Sequence, residues 1–264
     1  DYATAHVTEI IDRYRPDVLW NDVAWPPGGD LAALFAHYYN TVPDGVINDR
    51  WIQPSGRRNV ITDSLTRAAG DLIQLLWKHI PEKDKQLTFP GAHWYDFRTP
   101  EYAVFDTVQD KKWEATRGVG HSFGANRNER PQDIVTATEL VHMLVDVVSK
   151  NGNLLIGIGP DAQGRIVPEQ QAPLRGLGEW MAAHGDVIRG SRPWTAPATE
   201  TTEGTPVRFV RKGDEVFAIL LGLPGMRTFG LRGVDGIDEI TLPERVPVEP
   251  AYVVPLGTGA RWSG

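Results

Sequence analysis

The sequence predicts a parallel α/β domain followed by a smaller antiparallel β domain. Up to about residue 185, short apolar runs alternate with stretches in which apolar residues recur every three or four positions, as strands and helices do in turn. After residue 190 the helical spacing stops, and two β-like runs flank a hairpin signal at Lys212-Gly213-Asp214. We therefore assign residues 1–194 to the first domain and 195–264 to the second, and we expect a final strand or two of the second domain to be missing.

The individual elements follow from the same two spacings. Asp30 is expected to cap a helix, because its carboxylate can accept from backbone N–H groups of the first turn. Pro168 fits an early helical position, where its missing N–H costs nothing. The predicted helices are 3–15, 31–40, 63–80, 133–150 and 168–184. The predicted strands are 17–22, 46–47, 112–116, a buried strand at 153–158, and short β runs at 205–211, 215–221, 227–232, 238–242 and 251–256.

Composition excludes several classes of function. The 264 residues carry a net charge of −7 without clustered Lys and Arg, which argues against general nucleic-acid binding. No cysteine is present and the seven histidines lack metal-ligand spacing, so we expect neither a metal nor another cofactor. No window approaches about 18 apolar residues, so we expect no membrane segment. We expect no secretory signal; the compartment stays open, with the cytoplasm favoured.

Asp22 is the leading candidate for a catalytic carboxylate. It follows the apolar run Val18-Leu19-Trp20, and α/β enzymes keep their chemistry beyond the C-terminal ends of parallel strands. From position alone, a cap or turn role is the more common explanation of such an Asp. Two carboxylates about 5–5.5 Å apart can cleave a glycosidic bond with retention. The candidates for the second carboxylate are Asp49, Glu101, Glu114 and Glu129, and their spacing does not choose among them.

Other residue types leave their alternatives open. Arg50, after the brief strand 46–47, is equally compatible with a clamp on a hydroxyl or carboxylate and with a surface salt bridge. The nine tryptophans fit core packing as well as they fit stacking on sugar rings. Ser122 lacks the flanking glycines of a nucleophile elbow. Gly118-Val119-Gly120 resembles a dinucleotide loop only superficially, because no helix begins there.

Several motifs, taken in order, resemble the α-L-fucosidases of glycoside hydrolase family 29. They are Leu19-Trp20-Asn21-Asp22 with Trp25, Val46 to Trp51, Trp113-Glu114, Ser122-Phe123-Gly124 with 126–129, 151–153 through Gly159-Pro160, and 177–180 with Pro193-Trp194. The resemblance covers nearly the whole chain. It implies a (β/α)8-like barrel followed by a β-sandwich-like domain, and retaining hydrolysis of terminal α-L-fucose from fucosylated glycans.

The resemblance also implies roles for individual residues. Asp22 matches the family's nucleophile, and Glu101, in the segment Asp96 to Tyr102, matches the general acid and base. Arg50 resembles the residue that binds the sugar, and Phe123 the aromatic that packs on its apolar face and methyl group. Trp25 is expected to line the pocket.

Two differences from the family pattern lead us to expect that the chain associates with other chains. No stretch matches the family's N-terminal half of the barrel, and the segment between Trp51 and Asp96 is enlarged, mainly by the predicted helix 63–80. Half a barrel exposes strand edges, so we expect copies of the chain to associate as a homo-oligomer, or a separate N-terminal fragment to complete the barrel. Two alternatives to an active fucosidase remain: a lectin-like remnant that binds fucose with little turnover, and a fragment without a function of its own.

Overall fold

The computed structural model describes residues 2–22, 24–53, 94–237, 239–246 and 248–263. These residues belong to two compact units, Asp1–Ala103 and Val104–Gly264. The predicted helix at 63–80 lies outside the described residues. The predicted boundary at residue 194 stays a prediction.

The first unit contains two helices and two short parallel strands. The elements are α1 (Tyr2–Tyr14), β1 (Val18–Leu19), α2 (Leu31–Thr41) and β2 (Val46–Ile47). Val18 pairs with Val46 and Leu19 with Ile47 in parallel register. The predicted cap of α2 is confirmed, because the Asp30 carboxylate accepts from the backbone N–H of Ala33 at 2.9 Å. The core of this unit is formed by buried apolar residues that include Ile11, Leu34, Phe35, Tyr38, Ile47 and Trp51.

β1 is shorter than the strand predicted over 17–22, and two asparagines explain why. The backbone N–H of Asn21 donates to Oδ1 of Asn48 at 2.9 Å, and Nδ2 of Asn48 donates to the carbonyl of Asn21 at 2.7 Å. Two residues beyond Leu19, hydrogen bonds to the side-chain amide of Asn48 therefore replace the backbone hydrogen bonds that would continue the strand pair. The chain leaves the strand geometry while its backbone stays hydrogen-bonded.

The second unit begins with a parallel pair of strands and two helices. They are β3 (Trp113–Gly118), α3 (Ala137–Ser149), β4 (Gly152–Gly157) and α4 (Pro168–Ile188), with a 3₁₀ turn at Pro131–Asp133. β3 and β4 pair over their full length, from Trp113↔Gly152 to Gly118↔Gly157. α4 begins at Pro168 as predicted, and it continues four residues beyond the predicted end at His184.

Two predictions for this region are wrong in detail. The helix predicted from residue 133 begins at Ala137, because Thr136 and Glu139 form a capping box that fixes the start. The strand predicted as buried is partly exposed: the side chain of Leu155 is 43% exposed and that of Ile158, just beyond β4, is 39% exposed. The apolar run is real, but within the described residues β4 pairs on one side only.

An antiparallel sheet completes the second unit. β5 (Arg192–Glu200), β6 (Pro206–Lys212), β7 (Glu215–Leu220) and β11 (Tyr252–Gly257) form a sheet of order β11-β7-β6-β5. The predicted hairpin is confirmed, since Lys212 pairs with Glu215 across a two-residue turn. Short pairs flank this sheet: β8 (Thr228–Phe229) with β10 (Ile240–Thr241), and β9 (Val234–Asp235) with β12 (Arg261–Trp262). Among the described helices, none is long and apolar enough to cross a bilayer.

Candidate active site

The end of β1 is held in a fixed conformation immediately before Asp22. Asn21 exchanges two hydrogen bonds with Asn48, and its Nδ2 also donates to the carbonyls of Ala24 and Arg50, at 3.2 and 3.1 Å. Asn48 is fully buried. The backbone that carries Asp22 is therefore tied to the backbone that carries Arg50.

Arg50 is the centre of the site. Its side chain is 3% exposed. Its Nε donates to Oγ1 of Thr99 at 2.8 Å, and its Nη2 donates to the carbonyl oxygen of Thr99 at 2.9 Å. The guanidinium carbon lies 4.6 Å from the ring centroid of Trp20, within the range of a cation–π contact. The guanidinium is thus fixed in position and plane.

The remaining nitrogen of Arg50 bridges two carboxylates. Nη1 donates to Oδ1 of Asp22 at 3.0 Å and to Oε1 of Glu101 at 2.5 Å. These two oxygens can therefore be no farther apart than the sum of the two distances, 5.5 Å. The side chain of Asp22 is 61% exposed and that of Glu101 is 19% exposed, so the pair faces accessible space above a buried cation.

Glu101 reaches the site because its segment docks beside β2. Asp96 donates its backbone N–H to the carbonyl of Ile47 at 2.9 Å and accepts the N–H of Ile47 on Oδ2 at 2.8 Å. Phe97 forms a parallel bridge with Asn48. Tyr39 also donates to Oδ2 of Asp96, at 2.7 Å; burial, and then this bond, raise the pKa of Tyr39. The tyrosine therefore stays a hydrogen-bond donor.

The other acidic candidates have different surroundings. Asp49 is 5% exposed and accepts from both the N–H and the hydroxyl of Thr99, at 3.1 and 2.7 Å. Glu129 accepts the N–H of Ser122 at 2.8 Å, and its carboxylate occupies the space beside Gly120 that a Cβ would need. Glu114 is half-buried in β3. Asp49 and Glu129 thus accept hydrogen bonds from other neighbours, and Glu101 is the candidate that the first unit brings to Asp22.

The two aromatic candidates have contrasting environments. Trp25 is 4% exposed and packs in the core, 5.3 Å from Trp51 between ring centroids. Phe123 lies in the second unit, where its ring is 40% exposed and contacts the open face of Gly157. Their contact with a sugar stays a prediction.

No role was predicted from the sequence for three residues of the site. Thr99, Trp20 and Asn48 all contact the carboxylate and arginine cluster or its backbone. Trp20 and Asn48 could have been predicted as site residues, because they follow β1 and β2, and residues after parallel strands lie at the same edge of the sheet. Nothing local marks Thr99, whose partners lie 49 and 50 positions away. In the described ranges, no group of three or more His and acidic side chains is placed to hold a metal ion.

An α/β unit with two carboxylates sharing one buried arginine beyond its parallel strands has the arrangement expected of a glycoside hydrolase. Comparison with known proteins identifies the family. The family model described as alpha-L-fucosidase matches residues 1–186. The chain therefore belongs to the α-L-fucosidase family, as its motifs indicated.

Individual relatives agree with this assignment. An α-L-fucosidase of Dictyostelium discoideum is 33% identical over 258 residues, which are 89% of this chain and 48% of that protein. The crystal structure of the Thermotoga maritima α-fucosidase is 35% identical with a TM-score of 0.74, covering 97% of this chain and 56% of the other. A T. maritima α-L-fucosynthase in complex with α-L-Fuc-(1-2)-β-L-Fuc-N3 is 34% identical with a TM-score of 0.75, covering 97% and 55%. The chain thus spans about half the length of the relatives it matches.

Proposed function

We propose that this chain is a retaining glycoside hydrolase that releases terminal α-L-fucose from fucosylated glycans. The observation that carries the proposal is the bridge from Nη1 of Arg50 to both Asp22 and Glu101. It places the two bonded carboxylate oxygens at most 5.5 Å apart, a bound that accommodates the spacing of retaining enzymes, about 5–5.5 Å.

In the first step, Asp22 is the nucleophile. Its carboxylate attacks the anomeric carbon of the fucoside, while Glu101 donates its proton to the departing glycosidic oxygen. The bond to the leaving alcohol breaks, and a fucosyl ester forms on Asp22. The exposure of Asp22 leaves the approach to this carboxylate open.

In the second step, Glu101 acts as the base. It removes a proton from a water molecule, which attacks the anomeric carbon and releases Asp22 as a carboxylate. Two inversions at one carbon restore the starting configuration. The products are fucose and an alcohol, and no cofactor is consumed. Arg50 keeps a hydrogen bond available to whichever of the two groups is negatively charged.

The substrate class comes from the family. The solved T. maritima fucosynthase carries a ligand built of fucose units, and we propose the same sugar for this chain. Phe123, which is 40% exposed, is proposed to pack on the apolar face and methyl group of a fucose. Arg50 is proposed to bind the sugar, and Trp25 is proposed to line its pocket.

Hydrolysis and trapping test the proposal. We expect release of nitrophenol from 4-nitrophenyl α-L-fucoside, and loss of at least about 10³-fold in kcat in Asp22→Asn. A 2-fluoro-fucosyl fluoride should label Asp22 and no other side chain in a peptide digest. Label on another residue refutes the assignment. If wild type and Asp22→Asn are equally inert yet bind fucose, the chain is the lectin-like remnant instead.

The fold and assembly proposals rest on the strand edges. We propose that the parallel pairs β1–β2 and β3–β4 belong to a (β/α)8-like barrel of which this chain supplies about the C-terminal half, since the T. maritima structure matches 97% of the chain. Two features support association of copies into a homo-oligomer: among the described residues β4 pairs on one side only, and its Leu155 is exposed. Light scattering should give a mass above the 29.3 kDa of one chain. The cytoplasmic location favoured by the sequence stays a prediction.

A further inference from the structure

Thr99 connects three parts of the site through its side chain and its own backbone N–H and carbonyl groups. It is 2% exposed. Its hydroxyl oxygen and its carbonyl oxygen accept from Nε and Nη2 of Arg50, at 2.8 and 2.9 Å. Its N–H and its hydroxyl donate to Oδ1 of Asp49, at 3.1 and 2.7 Å. Glu101 follows two residues later, so the same segment carries the proposed acid and holds the arginine that contacts it.

The donor and the acceptor of each hydrogen bond among Arg50, Thr99 and Asp49 follow from the chemistry of the groups. A guanidinium nitrogen can only donate, so the Thr99 hydroxyl must offer a lone pair to Arg50. Its single proton is then directed to Oδ1 of Asp49, the acceptor 2.7 Å away. Asp49 thus prevents the hydroxyl from rotating its proton toward the arginine.

The two contacts with Thr99 leave the guanidinium only one orientation. Nε and Nη2 are both occupied by Thr99, and the face of the group lies over Trp20. Because the guanidinium is planar, Nη1 has its direction set by these contacts. That direction is toward Asp22 and Glu101.

Burying a carboxyl group costs free energy unless hydrogen bonds compensate for its lost hydration. Asp49 is 5% exposed, and both of its hydrogen bonds within the described residues go to Thr99. The burial of a carboxyl group against one threonine therefore indicates a positioning role.

We propose that Thr99 and Asp49 are positioning residues that orient Arg50, and through it the two carboxylates; the catalytic consequence of this inference rests on the proposed function. Thr99 fixes the positions of two of the three guanidinium nitrogens by accepting their hydrogen bonds, and Asp49 fixes the rotation of the Thr99 hydroxyl by accepting its proton. Both residues are buried, so neither presents its side chain to a substrate.

A graded set of variants tests the inference in the full chain. Thr99→Val removes the hydroxyl and keeps the shape, Thr99→Ser keeps the hydroxyl, and Asp49→Leu removes its acceptor. We expect kcat for 4-nitrophenyl α-L-fucoside to fall about 10²-fold in Thr99→Val, as for a misplaced catalytic group, and to recover most of this loss in Thr99→Ser. Asp49→Leu should resemble Thr99→Val.

Thr201→Val is the matched control for lost stability. Thr201 is also fully buried, and its hydroxyl accepts the N–H of Thr205 at 3.0 Å, far along the chain from the carboxylates. We expect it to lower the melting temperature as Thr99→Val does, while kcat stays at the wild-type value. If Thr99→Val lowers the melting temperature and leaves kcat unchanged, Thr99 is merely structural and the inference is overturned.

Crystal structures separate this inference from the proposed function. In Thr99→Val, we expect Nη1 of Arg50 to lose its contact with Asp22 or Glu101; retention of both contacts overturns the positioning role whatever the activity. If wild type hydrolyses no fucoside, the proposed function fails, and the two structures still decide whether Thr99 orients Arg50.

Discussion

Arg50 donates from Nη1 to Oε1 of Glu101 at 2.5 Å, across 51 positions of sequence. The contact joins Arg50, three residues beyond the end of β2, to the segment of residues 96–101, which pairs beside β2. It places a permanent positive charge beside the proposed acid and base. In the proposed mechanism, the geometry of this guanidinium sets the positions of that carboxylate and of Asp22.

Replacement of this arginine by lysine should be severe although the charge is kept. An ammonium group cannot hold both oxygens of Thr99 and reach two carboxylates, because it lacks the planar fork. We expect kcat/KM for 4-nitrophenyl α-L-fucoside to fall by about 10²-fold or more in Arg50→Lys. Arg13→Lys, at a 67% exposed arginine that pairs with Glu9, is the control and should keep full activity. Equal activity of the two variants contradicts a special role for the fork.

The role of Glu101 predicts a dependence on the leaving group. In Glu101→Ala, 4-nitrophenolate can depart from its fucoside without a proton, whereas the sugar leaving group of a fucosylated disaccharide needs one. We expect the loss in kcat/KM to be larger for the fucosylated disaccharide by at least about tenfold. Sodium azide should restore turnover of the nitrophenyl substrate, since azide attacks the ester without a base.

The control for this experiment is Glu9→Ala, at an exposed glutamate of α1. It should show no leaving-group dependence and no effect of azide. A uniform loss with both substrates in Glu101→Ala would mean that another group donates the proton.

The start of α3 predicts a measurable loss of stability. The Thr136 hydroxyl accepts the N–H of Glu139 at 3.2 Å, and the Glu139 carboxylate accepts the N–H of Thr136 at 2.7 Å. Thr136→Ala should lower the free energy of unfolding by about 1 kcal/mol in urea titrations. Thr136→Ser preserves the cap and should lie close to wild type. A larger loss in the serine variant than in the alanine variant is incompatible with capping as the cause.

The turn at Pro131–Asp133 predicts a pH-dependent contribution to stability. The Arg130 side chain, and then its backbone N–H, hold the pKa of Asp133 at about 2, below its ordinary value of 3.8. A depressed pKa means that the stabilisation is present above 3.8 and is lost as the pH falls through about 2. Urea unfolding of wild type and Asp133→Asn should therefore differ at pH 5 and converge near pH 2. Curves that stay parallel over this range would exclude the carboxylate as the source.

Asn151, after the end of α3, predicts opposite outcomes for two small substitutions. Its φ is 73°, in the left-handed region, and its Nδ2 donates to the carbonyl of Gln109 at 2.8 Å. Asn151→Ala loses the bond and places a Cβ in a strained backbone, so we expect a loss of about 1–2 kcal/mol. Asn151→Gly loses the same bond but relieves the strain, and should cost less than half as much. Equal losses would show that the backbone conformation contributes nothing.

The sequence by itself determined the elements whose signals are local. Helical spacing located α1, α2 and α4, the Asp30 cap followed from its side chain, and the Gly213-Asp214 turn located the hairpin. These features depend on interactions within about four residues, which a linear pattern records directly. Motif order identified the family, and position after β1 singled out Asp22. The exposure of β4 was missed, because an apolar run does not state on how many sides the strand is paired.

Only the tertiary structure showed which residues lie together. Spacing along the chain left Glu101 and Asp49 as equal candidates, and the family resemblance favoured Glu101. In the structure, Asp49 is turned to Thr99, whereas Glu101 shares Nη1 of Arg50 with Asp22. These contacts join residues 28 to 51 positions apart. Their geometry is set by parallel pairing and by the docking of residues 96–99 beside β2, not by any local preference. A local pattern can show that a carboxylate follows a strand, but which residue it contacts depends on how distant segments pack together.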